Sequence, residues 1–182
     1  MDKVMIGHHP LAGRAFANGR VSVVPAGDAR RLSLRAGANA VAALSKALGV
    51  KLPVKPKTTA TKHTRTAFWL GPDEWLVIDT SDGDPVADCA KVKQLHSAVD
   101  VSSRNVAIEV SGAGAIALLN SGCPLDLHDS MFPVGAATRT IFGKAEIVLW
   151  RQADDAWRIE CWRSFSDYVF AFLEDAACDR AV

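Results

Sequence analysis

Two short apolar runs, "AVAAL" at 40–44 and "AIALL" at 115–119, stand 75 residues apart in a chain of 182. A second pair, "LGPDEWLV" at 70–77 and "FGKAEIVL" at 142–149, stands 72 residues apart. The identities are few, but the patterns around them come in the same order: strand, short helix, loop, hairpin, helix, twice over. That period is longer than the repeats of solenoids. It points instead to a pseudo-duplicated α+β fold, with two antiparallel sheets carrying helices on their outer faces. The expected division is an N-terminal arm over 1–20, a first α+β half over 21–97 and a second over 98–182, the halves forming one compact unit.

Local patterns fill in this plan. "RVSVVPA" (20–26) and "RRLSLRA" (30–36) alternate as strands do, with Gly27-Asp28 as turn material between them. "GANAVAALSKALG" (37–49) spaces Val41, Leu44 and Leu48 along one helical face and stops at Gly49. The stretch 50–65 holds two prolines and no apolar period, and reads as a loop. "TAFWLGPDEWLVIDT" (66–80) is a hairpin, and Asp84-Pro85 opens a helix through about Leu95. "VDVSSRNVAIEVSG" (99–112) reads as strand-like, and 113–122 as a short helix ending at Gly122. "TRTIFGKAEIVLWR" (138–151) is a second hairpin, and "AWRIECWR" (156–163) puts Trp157, Ile159 and Cys161 on one face. The last helix, 164–177, has the expected stripe Tyr168, Val169, Phe172, Leu173 and Ala176, with Ser164 and Asp167 as a capping box.

Charge is unevenly spread although the net value is only +1. No acid occurs from Ala29 to Pro72, where Arg30, Arg31, Arg35, Lys46, Lys51, Lys55, Lys57, Lys62 and Arg65 lie. Acids predominate from Asp73 onward. Such asymmetry suits an oriented partner surface. No aromatic interleaves the bases of 55–66, so a nucleic-acid stacking platform is not expected. No run is long and apolar enough for a membrane span or signal peptide. Four scattered cysteines form no CxxC pair, which suits a reduced, cytoplasmic protein.

The chemistry-bearing residues are few. "SGCPLDLH" (121–128) places Cys123, Asp126 and His128 together and invites a thiol-enzyme reading. A helix stop explains the same residues. Gly122 would take the left-handed position, Cys123 the apolar contact after it, and Pro124 would prevent continuation. In the other half Val50 stands where Cys123 stands, which favours packing. His8-His9, His63, His96 and His128 show no metal-ligand spacing. "SGAGAI" (111–116) lacks the glycine spacing of a dinucleotide loop and the lysine of a P-loop. No catalytic, cofactor-binding or metal-ligating residue is assigned. Trp162 and Arg163, at a strand end opposite the Cys161 face, are the candidate partner-interface anchors, together with His128.

Several segments resemble one family. "WLGPDEWLVID" (69–79), "VDVSSRNVAIEVSG", "SGCPLDLH" followed by "FPVG" (132–135), and "CWRSFSDYVFAFL" (161–173) look like the gamma subunit of heterotetrameric sarcosine oxidase. "VDVSSRNVAIEVSGAGA" also resembles the wider superfamily of folate-binding aminomethyltransferases, with Ala113 where a proline is common there. The resemblance implies a fold like that superfamily's. It also implies a complex that oxidatively demethylates sarcosine to glycine and passes the one-carbon unit to tetrahydrofolate. FAD, FMN, NAD, tetrahydrofolate and zinc would then sit on other subunits. This chain would pack non-catalytically on the alpha subunit, with beta and delta subunits completing the assembly. The alternative is a free-standing folate-binding protein or aminomethyltransferase-like enzyme.

Overall fold

The alternating run Arg30–Ala36 forms a strand in the computed structural model, which describes residues 9–179, and buries Leu32, Leu34 and Ala36 on one face. In chain order the elements are β1 (Phe16–Ala17), β2 (Ser22–Pro25), β3 (Arg30–Ala36), a 3-10 turn running into α1 (Val41–Leu48), β4 (Thr59–Lys62), β5 (Arg65–Gly71), β6 (Glu74–Asp79) and α2 (Pro85–Cys89). Then follow β7 (His96–Asp100), β8 (Asn105–Ser111), α3 (Ala115–Asn120), β9 (Ala137–Phe142), β10 (Ala145–Ala153), β11 (Ala156–Trp162) and α4 (Ser166–Ala177). One sheet has the order β4-β5-β6-β3-β7 and the other β1-β2-β8-β11-β10-β9, with every neighbouring pair antiparallel.

The sheets lie back to back with helices outside, as the pattern of the sequence predicts. Period two splits each strand between two cores. Leu32, Leu34, Trp75 and Val77 pack under α1 and α2. Ile108, Val110, Trp157, Ile159 and Cys161 pack under α3 and α4. Between the sheets lie Phe68, Leu76, Ile78, Val101, Ala137 and Val148, with Trp150 edge-on to Phe68 at 5.1 Å.

The repeat is real in topology but shifted from the sequence alignment. The orders β4-β5-β6-β3-β7 and β9-β10-β11-β8-β2 superpose strand for strand, with α1 matching α3 and α2 matching α4. The true counterpart of the Gly143-Lys144 turn is therefore His63-Thr64, not Pro72-Asp73. His63 and Gly143 even share a left-handed φ, 55° and 57°. The error came from β4. Its polar "TATK" has no apolar period, because an edge strand half in solvent gains its order from pairing with β5 rather than from burial.

Other expectations need correction. The segment 99–112 is two strands in different sheets. The chain turns at Val101–Arg104, where the Asp100 carboxylate accepts from Ser102 N–H at 2.7 Å. The boundary expected at 97/98 falls inside β7, and β2 of the first half completes the sheet of the second. Within the expected arm, several residues from His9 onward pack on the fold. Leu11 is buried in the core, and the Arg14 guanidinium lies 4.4 Å over the Phe170 ring and pairs with Glu174. His8 lies outside the described residues. The helix opened by Asp84 caps as expected, through Val86 and Ala87 N–H at 3.0 Å, but ends at Cys89. Beyond it only Val92 finds apolar partners.

On α4 the buried face is Ser166, Val169, Phe170, Leu173 and Ala177, rotated from the expected stripe, and Tyr168 is exposed. The expected capping box does not form. A 3-10 turn over Arg163–Phe165 precedes the helix, and Ser166 Oγ donates to Arg163 O at 2.8 Å. Gly49 is left-handed as expected, at φ 68°. Gly122 is not. It is glycine because a Cβ there would sit 2.8 Å from the Phe142 ring.

Candidate functional site

The loop Gly122–Gly135 separates the residues of "SGCPLDLH" instead of gathering them. At one end Gly122 O accepts from Gly143 N–H, and at the other Gly135 N–H donates to Arg151 O, both at 2.8 Å. The loop thus runs most of the length of β10, roughly 25 Å. Cys123 is buried near the first end, among core side chains. Burial pushes its thiol pKa up, although contacts from Leu125 and Thr140 oppose this. His128 is exposed further along, with Nδ1 2.9 Å from Ser130 Oγ. Burial also raises Cys89, to about 11, and Cys161, to about 12, with the charges of Asp88 and Glu160 adding to the effect. A protonated, enclosed thiol is a packing group. The structure supports the helix-stop reading for Cys123 while correcting the reason for Gly122.

The Cys123→Val variant should therefore fold with a stability change of about 1 kcal/mol or less by urea titration, since Val50 fills the equivalent position. A larger loss would count against packing.

Among the described residues, no group of three or more His, Cys, Asp or Glu is placed to hold a metal ion. No described helix is long and apolar enough to cross a membrane.

The polar chemistry collects where the two sheets meet. Glu160 of β11 accepts from Arg31 of β3 at 2.6 and 3.3 Å and from Arg158 Nε at 2.9 Å. Arg158 also donates to Glu109 at 2.8 Å. Burial raises the Glu109 pKa, and the nearby Glu160 charge adds to this, against the pull of Arg158. A second bridge, Arg35–Glu74–Arg139, joins the sheets nearer the surface, and hydrogen bonding from Arg139 lowers the Glu74 pKa. Beside this seam opens a polar cleft of about 420 Å³, lined by Arg30, Ser102, Ser103, Asn105 and Arg163 among others. Sequence reasoning missed Arg31, Glu109, Arg158 and Glu160. Their signal was charge on the face opposite the apolar stripe of each strand, at alternate positions only in β11, which reads equally well as a solvent face.

Trp162 ends β11 and is 43% exposed. Its ring lies 6.2 Å from Phe165, itself exposed, and the Arg104 guanidinium lies 5.6 Å from the indole ring centroid. Arg163 follows it, its N–H donating to Arg104 O at 2.7 Å. His128 is not part of this group. Its neighbour Asp129 pairs with Arg151, which stands opposite Trp157 at the other end of β11.

Back-to-back antiparallel sheets built from a doubled strand-helix-three-strand-helix unit define an α+β fold shared with aminomethyltransferases. Glycine cleavage system aminomethyltransferase T from Bartonella henselae matches with a TM-score of 0.58 at 14% identity, over 85% of this chain and 45% of that one, a likeness of fold. The model of the sarcosine oxidase, gamma subunit family matches residues 33–179, and the chain belongs to that family. Sarcosine oxidase subunit gamma of Corynebacterium sp. strain P-1 is 32% identical over 148 residues, 80% of this chain and 73% of the relative. The protein of the same name from strain U-96 is 33% identical over 157 residues, 80% of this chain and 74% of the relative. A chain of the heterotetrameric sarcosine oxidase from Corynebacterium sp. U-96, in complex with pyrrole 2-carboxylate, matches with a TM-score of 0.88 at 27% identity, over 97% of both chains.

Proposed function

We propose that this chain is the non-catalytic gamma subunit of a heterotetrameric sarcosine oxidase and stabilises the assembly by packing on the alpha subunit. The observation that carries this reading is the match over 97% of both chains to a component of such a complex. The buried, protonated thiols agree with it. In this reading the complex demethylates sarcosine to glycine oxidatively and passes the one-carbon unit to tetrahydrofolate. FAD, FMN, NAD, tetrahydrofolate and zinc belong to the other subunits, and beta and delta subunits complete the complex.

Trp162 is the proposed anchor of the contact, with Arg163 beside it. A half-exposed indole next to a second aromatic and an arginine has the composition of an interface hot spot. His128, at the far end of the sheet, would belong to a separate contact. Co-expression with the flavin-bearing subunits, followed by size-exclusion chromatography, tests the reading. The wild-type chain should co-elute with flavin absorbance. Trp162→Ala should weaken the association by about 2 kcal/mol, roughly 30-fold in Kd, while its unfolding midpoint stays close to wild type. A chain that elutes alone and binds tetrahydrofolate by calorimetry would overturn the proposal in favour of a free-standing folate-binding protein.

A further inference from the structure

The doubled topology exposes one place where the halves differ. In the sheet of the second half, β8 is flanked by β2, and β2 is flanked by β1. In the other sheet β3 is flanked by β7, the counterpart of β2, and the order stops there among the described residues. The position that β1 fills in one sheet has no strand in the other.

The ladder shows which groups that edge presents. Val101 N–H donates to Arg31 O at 2.8 Å, and Ser33 stands opposite Val99 and Arg35 opposite Ser97. Antiparallel alternation then turns the backbone of Ser97 and Val99 toward β3 and that of His96, Ala98 and Asp100 outward. Leu95, in the bend just before β7, is 91% exposed, and Val99 on the strand is 52% exposed. Open edges with apolar side chains recruit further strands unless they are covered. Charge surrounds the same edge. A shallow groove of about 510 Å³ runs beside the start of β7, floored by Ala43, Ala47 and Val92 and rimmed by Lys46, Lys91 and Lys93. Of these lysines, Lys91 pairs with Asp88.

We infer that the outer edge of β7 receives an extended segment of a partner subunit as an added antiparallel strand, an inference that rests on the subunit reading above. The added strand occupies the place that β1 holds in the other sheet. Alternate apolar residues of the segment cover Leu95 and Val99. Its C-terminal part, which antiparallel pairing brings toward the start of β7, carries carboxylates that meet Lys93 and Lys46. Main-chain pairing supplies affinity, and the alternating side chains and charge supply selectivity.

Hydrogen exchange on the co-expressed complex tests this directly. The outward amides of Ala98 and Asp100 should exchange quickly in the isolated chain and at least 100-fold more slowly in the complex. Leu95→Glu, at a nearly fully exposed site, should leave the unfolding midpoint unchanged and weaken association tenfold or more. Ala98→Pro, which removes an outward N–H, should weaken association likewise, with its unfolding midpoint measured alongside because Ala98 packs against the core. Val54→Glu, exposed elsewhere, should assemble as wild type does. A complex that forms with 95–101 exchanging as in the free chain, and with Leu95→Glu binding normally, overturns the inference and leaves the subunit reading intact. Protection that depends on the concentration of the isolated chain would assign the edge to a second copy and overturn it too. Protection already present in the isolated chain at high dilution would assign the edge to the chain's own residues, with the same consequence. Failure of any complex to form defeats the subunit reading and this inference together.

Discussion

Replacing Glu160 by alanine should lower the free energy of unfolding by about 3–5 kcal/mol and the melting temperature by roughly 10 °C. Glu160 is 3% exposed and holds two guanidinium groups that are themselves buried, Arg31 at 5% and Arg158 at 6%. Arg158 would keep Glu109 as a partner. Arg31 would keep only the carbonyl of Ala29, at 3.1 Å. A buried cation without a counter-charge is among the costliest defects a fold can carry. The two side chains come from different sheets, 129 residues apart in sequence, so the loss falls on the contact between the halves. Urea titration of the isolated chain measures it. The double variant Arg31→Met with Glu160→Leu should recover most of the loss, because an apolar pair of similar volume removes both charges at once. A cost below about 1 kcal/mol for Glu160→Ala would mean that water reaches the seam and screens the pair.

The second large effect is expected at Trp75. It is nearly fully buried under α1 and α2, and its Nε1 donates to Pro53 O at 2.7 Å. Trp75→Ala should cost about 3–5 kcal/mol, through lost burial and an incompletely collapsed cavity. Trp75→Phe keeps most of the apolar surface but leaves Pro53 O without its donor, and should cost about 1–3 kcal/mol. The two variants differ in reach. The Phe variant should loosen mainly the basic segment that the indole pins, so tryptic cleavage at Lys51 and Lys57 should accelerate while α4 stays protected. Cleavage that rises equally across the chain would show that the indole supports the whole sheet rather than the loop.

Periodic segments were the legible ones. β3 and β11 carry one apolar face at every second residue, while β6 and the middle of β10 are continuous apolar runs because both of their faces are buried. β4 was illegible because its order comes from a neighbour. The helix face on α4 was misjudged by about one position. Tyr168 is as apolar as Phe170 on paper, yet its hydroxyl accepts from Lys144 N–H at 3.1 Å at the surface while Phe170 goes inside under Arg14. Gly122 shows that a glycine after a helix has two physical explanations, left-handed backbone or missing space, and only tertiary contact with Phe142 separates them. Trp162 and Arg163 were expected at a strand end, and β11 does end at Trp162. His128 was grouped with them through its motif alone, and sequence carries no information on which end of a sheet a long loop reaches. The seam of Arg31, Glu109, Arg158 and Glu160 could be found only by knowing which strands face each other.

The exchange of strands between the halves has a consequence for how the chain is made. β2 lies near the start of the polypeptide, but its neighbour in the sheet is β8, whose other flank is filled by β11 near the end. A nascent chain that has emerged only as far as α2 has β3, β5 and β6 in hand, yet β2 has only the two-residue β1 to pair with. Strand β2 must wait for a strand that leaves the ribosome some eighty residues later. All five strands of the other sheet are translated in that interval, so the sheet that β2 belongs to is the later one to close.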